Sequence, residues 1–364
     1  MMTSFLTKFF AFGLGLFILC ELFFRFVIPA RESPRVRQEK TFNLIQFDPD
    51  HAREGLFTSG RYAEQRAPWA INDLGWNFDR EYQPNRKIER PIVAMTGDSQ
   101  IEGFYVTAQE HILRRLEKRS VESFVGYSLA SAGYKLGDYI LVARYLAAKD
   151  ITPDLFIMYI NRGDFWRAIT NLGGKLGTPS PRLREQDGQF ELIPGGEYPS
   201  LWYRRILRRS ALIRYLVFNA RLNPFRRGTG DLAMAARQTY PEADAASMPI
   251  YERAVIYVVG QIRSALPQAK LIFVIDADRR AIEAGRVPLP IGTSAPIQAA
   301  CQNVECLAVD LTQPFVQAWH EQRRSFQFVG NYHWNAYAHD VASEALYKAL
   351  RARNWLPGHK TAKR

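Results

Sequence analysis

The sequence predicts an α/β fold, a doubly wound sheet of about five parallel strands preceded by an N-terminal apolar helix. Three observations carry this. From residue 91 onward, short apolar runs of strand character alternate with helical segments, and strand–helix–strand repetition implies parallel strands joined by crossovers. One run, "DLFIMYI" (154–160), is apolar without a break, which suits a strand buried on both faces. A chain of 364 residues, 47% hydrophobic and 13% aromatic, is large enough to bury such a core.

The first element is the apolar stretch from Phe5 to Ile28, interrupted only by Lys8, Glu21 and Arg25. At about 1.5 Å per residue it is long enough to cross a bilayer. Glu21 and Arg25 stand four apart and can pair. A cleaved signal peptide and an interfacial helix are the alternatives. "VIPA" is a poor cleavage site and the charges fall late. Cys20 follows Ile18-Leu19, without the small residue expected before a lipidated cysteine. Residues 5–28 are therefore expected to be an uncleaved anchor in a bacterial inner membrane, and residues 29–70 a polar juxtamembrane linker.

Orientation has signals both ways. Arg31, Arg35, Arg37 and Lys40 follow the segment and only Lys8 precedes it; alone, that would hold the main domain in the cytoplasm. The rule weakens for long translocated domains. Cys301 and Cys306, in "ACQNVEC", either bridge a small loop, as an oxidising compartment allows, or are two separate buried thiols. The expectation is a periplasmic domain on a single-pass anchor. A net charge of +12 favours anionic surfaces such as lipid headgroups, acidic polymers or nucleic acid. No recognised nucleic-acid-binding motif accompanies it, so no nucleic-acid partner is expected.

The main domain is expected over 71–353. Leu74, Trp76 and Phe78 restore order in "INDLGWNFDREY" (71–82). "PIVAMT" (91–96) reads as the first strand and "EHILRRLEKR" (110–119) as an amphipathic helix. "SFVGYS" (123–128) is the second strand, "GDYILVARYLAAK" (137–149) the second helix and 154–160 the third strand. Residues 166–250 interrupt the rhythm with Gly/Pro punctuation. Their segment 201–227 sets arginines among apolar residues at helical spacing, which fits a membrane-surface helix, a cap over the site or a packed amphipathic helix. "KLIFVID" (270–276) and "ECLAVDL" (305–311) supply two more strands, and 336–353 a closing helix. Residues 354–364 form a basic tail.

Ligands of open parallel sheets lie beyond the carboxyl ends of the strands. Gly97-Asp98-Ser99, Gly133 in "SLASAGY" and "NRGDF" (161–165) satisfy that geometry after strands one, two and three. "NYHWNAYAH" (331–339) sits before the last helix, where His333 could reach back over the sheet. Ser99 reads either as a turn residue or as a nucleophile, and a serine hydroxyl needs a base to act as one.

These residues resemble the SGNH, or GDSL-type, hydrolase superfamily. "GDSQIEGFYV" looks like its first block, with Ser99 at the nucleophile position. "SLASAGY" resembles the second, with Gly133 at an oxyanion-hole position. "PDLFIMYINRGDF" aligns with the third and "NYHWNAYAHDVASEAL" with the last, placing His333 as the base. The resemblance covers about 70–350 apart from the insertion, and implies a three-layer, flavodoxin-like α/β/α architecture. The lead-in "INDLGWNFDREYQPNRKIERPIVAMTGDS" is similar to that of anchored bacterial members, some linked to acyl groups on exported polysaccharides.

Two positions depart from the pattern. Gly163 stands where the third block has an oxyanion-donating asparagine, with Asn161 and Arg162 just before it. Asn331 stands where an aspartate precedes the histidine; its carbonyl oxygen can orient the ring but stabilises the imidazolium less than a carboxylate. The resemblance then implies Ser99, His333 and Asn331 as the catalytic group, with Ser99, Gly133 and Gly163 at the oxyanion hole. It implies no metal or organic cofactor. The expected function is a membrane-anchored esterase or O-acyltransferase acting on an acylated carbohydrate. The alternative is a catalytically silent protein of this fold that binds polysaccharide or assists envelope assembly.

Overall fold

The computed structural model describes residues 2–198, 208–222, 246–288 and 292–356. The apolar N-terminus forms α1 (Met2–Phe26), and its apolar side chains face outward along the length. Among the described residues, its last turns make the contacts with the rest of the molecule, through Glu21, Phe24 and Arg25. Two antiparallel hairpins follow, β1 (Val36–Glu39) with β2 (Leu44–Phe47), and β3 (Glu54–Ser59) with β4 (Gln65–Ala70). The segment expected as a linker is thus folded. Its scattered apolar residues Phe47, Phe57 and Trp69 join Ile71 and Phe104 in a small core of their own.

The α/β body begins with β5 (Ile92–Thr96), α2 (Ser99–Glu102), α3 (Ile112–Arg119), β6 (Val125–Ser128), α4 (Leu136–Ala148) and β7 (Leu155–Ile160). Every residue of β5, β6 and β7 is buried, as covering on both faces requires. A short α5 (Asp164–Ala168) and the hairpin of β8 (Arg182–Gln186) with β9 (Gln189–Ile193) open the insertion. Then come α6 (Ala211–Arg214), a π-helical turn (Tyr215–Asn219) and α7 (Met248–Ala265). The body closes with β10 (Lys270–Ile275), α8 (Arg279–Glu283), α9 (Ser294–Asn303), β11 (Leu307–Asp310), α10 (Thr312–Gln322), β12 (Gln327–Phe328), β13 (Asn331–Trp334) and α11 (Ala336–Ala352).

The five parallel strands lie in the order β6-β5-β7-β10-β11, the flavodoxin-like order. Helices α4, α7 and α9 pack together, as do α3, α10 and α11, which gives a helical layer on each face. Cys301 and Cys306 are joined by a disulfide between the end of α9 and the start of β11.

The 201–227 segment is not one long helix among the described residues; 201–207 and 223–227 lie outside them, as does 357–364 of the basic tail. The described part docks on α1. The Glu21 carboxylate accepts from Ser210 Oγ (2.8 Å) and from the N–H groups of Ala211 (2.8 Å) and Leu212 (3.0 Å), capping α6. Arg25 donates to Glu21 at 2.6 Å, and Phe24 stacks on Tyr215 at 3.8 Å.

Candidate active site

The sheet's switch point lies between β5 and β7, where consecutive crossovers run to opposite sides and open a crevice at the strands' carboxyl ends. Ser99 opens α2 directly beyond β5. The turn into it is tight: a Cβ on Gly97 would meet Ile101 Cγ1 at 2.6 Å and Tyr159 Cβ at 3.0 Å, so only glycine lets the Ser99 turn lie against β7. Asp98 caps α2, its Oδ1 accepting from Gln100 N–H at 2.9 Å and its Oδ2 from Asn161 Nδ2 at 2.5 Å.

His333 arrives from β13, 234 residues later, with Nε2 at 2.9 Å from Ser99 Oγ. Its Nδ1 lies 2.5 Å from Asn331 Oδ1, and the same oxygen accepts the His333 backbone N–H at 3.1 Å. Two donors converging on one oxygen fix the amide's orientation and put the ring proton on Nδ1. Nε2 is left as the acceptor facing the serine hydroxyl. Tyr105 lies flat on the imidazole at 3.9 Å and 13°, and Tyr332 stacks on it at 4.4 Å. Burial, then the nearby Arg279 and Arg31 guanidinium groups, push His333 down to about 3.

The short hairpin that carries His333 is held from below. Asp276, one residue past β10, accepts from Tyr159 OH (2.8 Å), Trp334 Nε1 (3.2 Å) and Arg279 Nη2 (3.1 Å). Arg279 also donates to the Tyr332 carbonyl at 2.9 Å, and Gln100 Oε1 accepts the Trp334 N–H at 2.7 Å. Sequence reading missed Gln100, Tyr105, Asp276 and Arg279. Asp276 was findable, because "VIDAD" places it beyond the carboxyl end of a strand like the three sites that were singled out.

Gly133 stands at φ +90, a conformation that favours glycine, in an exposed loop running beside the Ser99 turn; Ser131 N–H donates to Gly97 O at 3.2 Å. Among the described residues, neither the Ser99 nor the Gly133 N–H has a hydrogen-bond partner. Gly163 corrects the sequence expectation. It caps α5 and its N–H already donates to Asn161 Oδ1 at 2.7 Å, so it is committed to the loop. Asn161 is the side chain beside Asp98, and its second amide hydrogen has no partner among the described residues.

The surrounding carboxylates are buried. Burial raises Asp98, and burial with Asp98 as neighbour pushes Asp164 up to about 8. Among the described residues, no three His, Cys, Asp or Glu side chains converge as metal ligands. A cleft of about 600 Å³ opens between the β3–β4 hairpin and the loop after α2; Gly103, Val106 and His111 line it, but Ser99 and His333 do not.

Strand order, the Ser99 turn and the His333 hairpin coincide with the four sequence blocks. The fold is SGNH-like. No protein-family model and no curated protein sequence matches the chain. Solved structures do. A carbohydrate esterase family 2 enzyme with a carbohydrate-binding domain from Corynascus thermopiles (Myceliophthora fergusii) is 14% identical, covering 76% of this chain and 69% of its own, with a TM-score of 0.39. A lipase/acylhydrolase from Enterococcus faecalis is 10% identical over 75% of this chain and 100% of its own, with a TM-score of 0.38. A member of the lipolytic G-D-S-L family from Veillonella parvula is 9% identical over 71% and 98%, also at 0.38. With TM-scores below 0.5, none of these likenesses bears on what this chain does.

Proposed function

We propose that the chain is a membrane-anchored serine esterase or O-acyltransferase that uses Ser99 and His333. The observation that carries the reading is the 2.9 Å contact between His333 Nε2 and Ser99 Oγ, with the ring held in the right tautomer by Asn331. His333 takes the Ser99 proton as Oγ attacks an ester carbonyl. The alcohol leaves with that proton, and an acyl-serine remains. Water then completes hydrolysis, or a sugar hydroxyl completes transfer.

The carbonyl oxygen becomes an oxyanion between the Ser99 and Gly133 N–H groups, with Asn161 Nδ2 rather than Gly163 as third donor. Such donors are worth most when fixed before the charge develops. His333, held down near 3, is neutral across ordinary pH, so its Nε2 lone pair is open to the serine hydroxyl, but as a base it is weak.

The apolar, outward-facing α1 supports a membrane anchor, and the Cys301–Cys306 disulfide supports an oxidising compartment such as the periplasm. An acylated carbohydrate is the substrate class that the sequence resemblance suggests. The second reading, a silent polysaccharide-binding or assembly protein, is favoured by Asn331 in place of a carboxylate. Neutral Asn331 cannot offset the cost of a charged imidazolium beside Arg279.

A fluorophosphonate probe on the detergent-solubilised full chain separates the two. Labelling that disappears in Ser99→Ala and falls sharply in His333→Ala supports the enzyme. A folded wild type that takes no label rejects it in favour of the silent protein.

A further inference from the structure

Glu102 lies three residues past Ser99, at the end of α2, and is only 7% exposed. Its Oε1 accepts the Ala132 N–H at 2.9 Å, and Ser131 Oγ stands 3.5 Å from the same oxygen. The nucleophile's helix and the loop that carries Gly133 are therefore joined by one carboxylate. The helix end is itself fixed, because the Glu102 carbonyl accepts from Asn77 Nδ2 at 2.8 Å. Gly133 follows Ala132 directly, so the direction of its free N–H is set by where Ala132 is held.

We propose that Glu102 is a positioning residue that locks the Ser131–Gly133 loop onto the nucleophile helix, so that the Ser99 and Gly133 N–H groups converge on one oxyanion. The inference rests on the esterase reading above. Packing alone does not account for this side chain, since a buried carboxylate costs free energy that an alkyl group of the same size avoids. The charged or titratable groups facing it are Asp98 at the cap of α2, Arg31 from the segment after α1, and the Tyr134 hydroxyl from the β6–α4 loop. Burial pushes Glu102 up to about 7, against the Ala132 N–H and Arg31, which favour its charged form. An ionised carboxylate accepts a stronger hydrogen bond than a neutral carboxyl. The loop is therefore held most firmly above that pH.

The test uses the isotope-labelled full chain in detergent micelles, with p-nitrophenyl acetate as the ester. In the wild type, the Ala132 amide proton shift titrates with a midpoint near neutrality, and kcat rises across the same range. In Glu102→Gln, an isosteric acceptor without charge, both transitions vanish and kcat drops several-fold at unchanged KM. Glu102→Ala lowers kcat by about 10²-fold, the scale of losing one oxyanion donor. An Ala132 amide that does not titrate, or a Glu102→Gln enzyme with the wild-type kcat and pH profile, overturns the proposal. Should the wild type neither hydrolyse the ester nor take the fluorophosphonate, the esterase reading fails, and the Ala132 titration still decides whether Glu102 holds the loop.

Discussion

Asn331 sets the chemistry of His333 at the scale of single atoms. It accepts from Nδ1–H as an aspartate would, so the ring's orientation and tautomer are those of a working base. What it lacks is charge. In the proposed mechanism the proton from Ser99 must sit on a buried ring near Arg279 and Arg31, and burial and these cations hold the ring near 3. The sign follows directly: a lowered histidine is neutral at rest, so the limb of the rate profile that His333 sets lies well below the usual histidine range, apart from the several-fold rise near neutrality assigned to Glu102. Restoring the carboxylate with Asn331→Asp adds a charge-assisted bond, roughly twice as strong as a neutral one. That variant is expected to raise kcat by about tenfold or more and move the acid limb upward by a unit or more, as read from a pH–rate profile with p-nitrophenyl acetate. An unchanged kcat with an unmoved limb means that proton transfer to His333 is not what limits the reaction.

At the scale of elements, the question is how strands of two and four residues hold the proposed base, His333, in place. An isolated hairpin of this size is not stable in water, so β12–β13 borrows its position from the body. The Asp276–Arg279 pair is buried on both sides, at 7% and 8% side-chain exposure, and Arg279 reaches the Tyr332 carbonyl. Removing one member of a buried pair leaves the other uncompensated. Arg279→Ala should therefore lower the unfolding free energy by about 3–5 kcal/mol, read as a fall in the urea midpoint. It should also cut fluorophosphonate labelling of Ser99 in protein that remains folded at low urea. If Ser99 still labels at the wild-type rate, Gln100 and Asp276 hold the hairpin through Trp334 without Arg279. This support was not legible in the sequence, whereas the elements it supports were. β5, β7 and β10 announce themselves as apolar runs, and Ser99, His333 and Asn331 sit in blocks of fixed order. The anchors are single polar residues whose meaning depends on neighbours more than fifty residues away, such as Trp334 for Asp276. Gly163 misled because spacing along a loop does not say which amides that loop consumes; its N–H is taken by Asn161. The 29–70 segment misled because strands this short leave only a few apolar residues each, too sparse to separate from a polar linker.

At the scale of the whole molecule, the sheet gathers buried ionisable groups near one edge, and their opposing shifts shape stability against pH. Burial is the first cause in every case. It raises Glu102, Glu117 and Asp138 to about 7 and Asp164 to about 8, and lowers His111 to about 4, His333 to about 3 and His339 well below its ordinary value. A raised carboxyl holds a proton in the folded state that the unfolded chain has released, so its contribution is lost as pH rises through the folded value. A lowered histidine does the opposite, and its contribution grows as pH rises toward the ordinary histidine range. Between the ordinary carboxyl and histidine values, near pH 4.5 and 6.5, the two sets act against each other and the thermal midpoint should change little. Above that window the histidines are neutral folded or unfolded, and of these groups the carboxyls alone still respond. The thermal midpoint should therefore fall from about pH 6.5 to about pH 8.5, as scanning calorimetry of the full chain in detergent would show. Glu102→Gln should make that fall shallower, because it removes one of the protons released, and should tilt the window below pH 6.5 toward a rise with pH, because one fewer carboxyl opposes the histidines. A midpoint that rises across the same interval would mean that these carboxyls are already ionised in the folded protein, and that water reaches the sheet edge despite the burial.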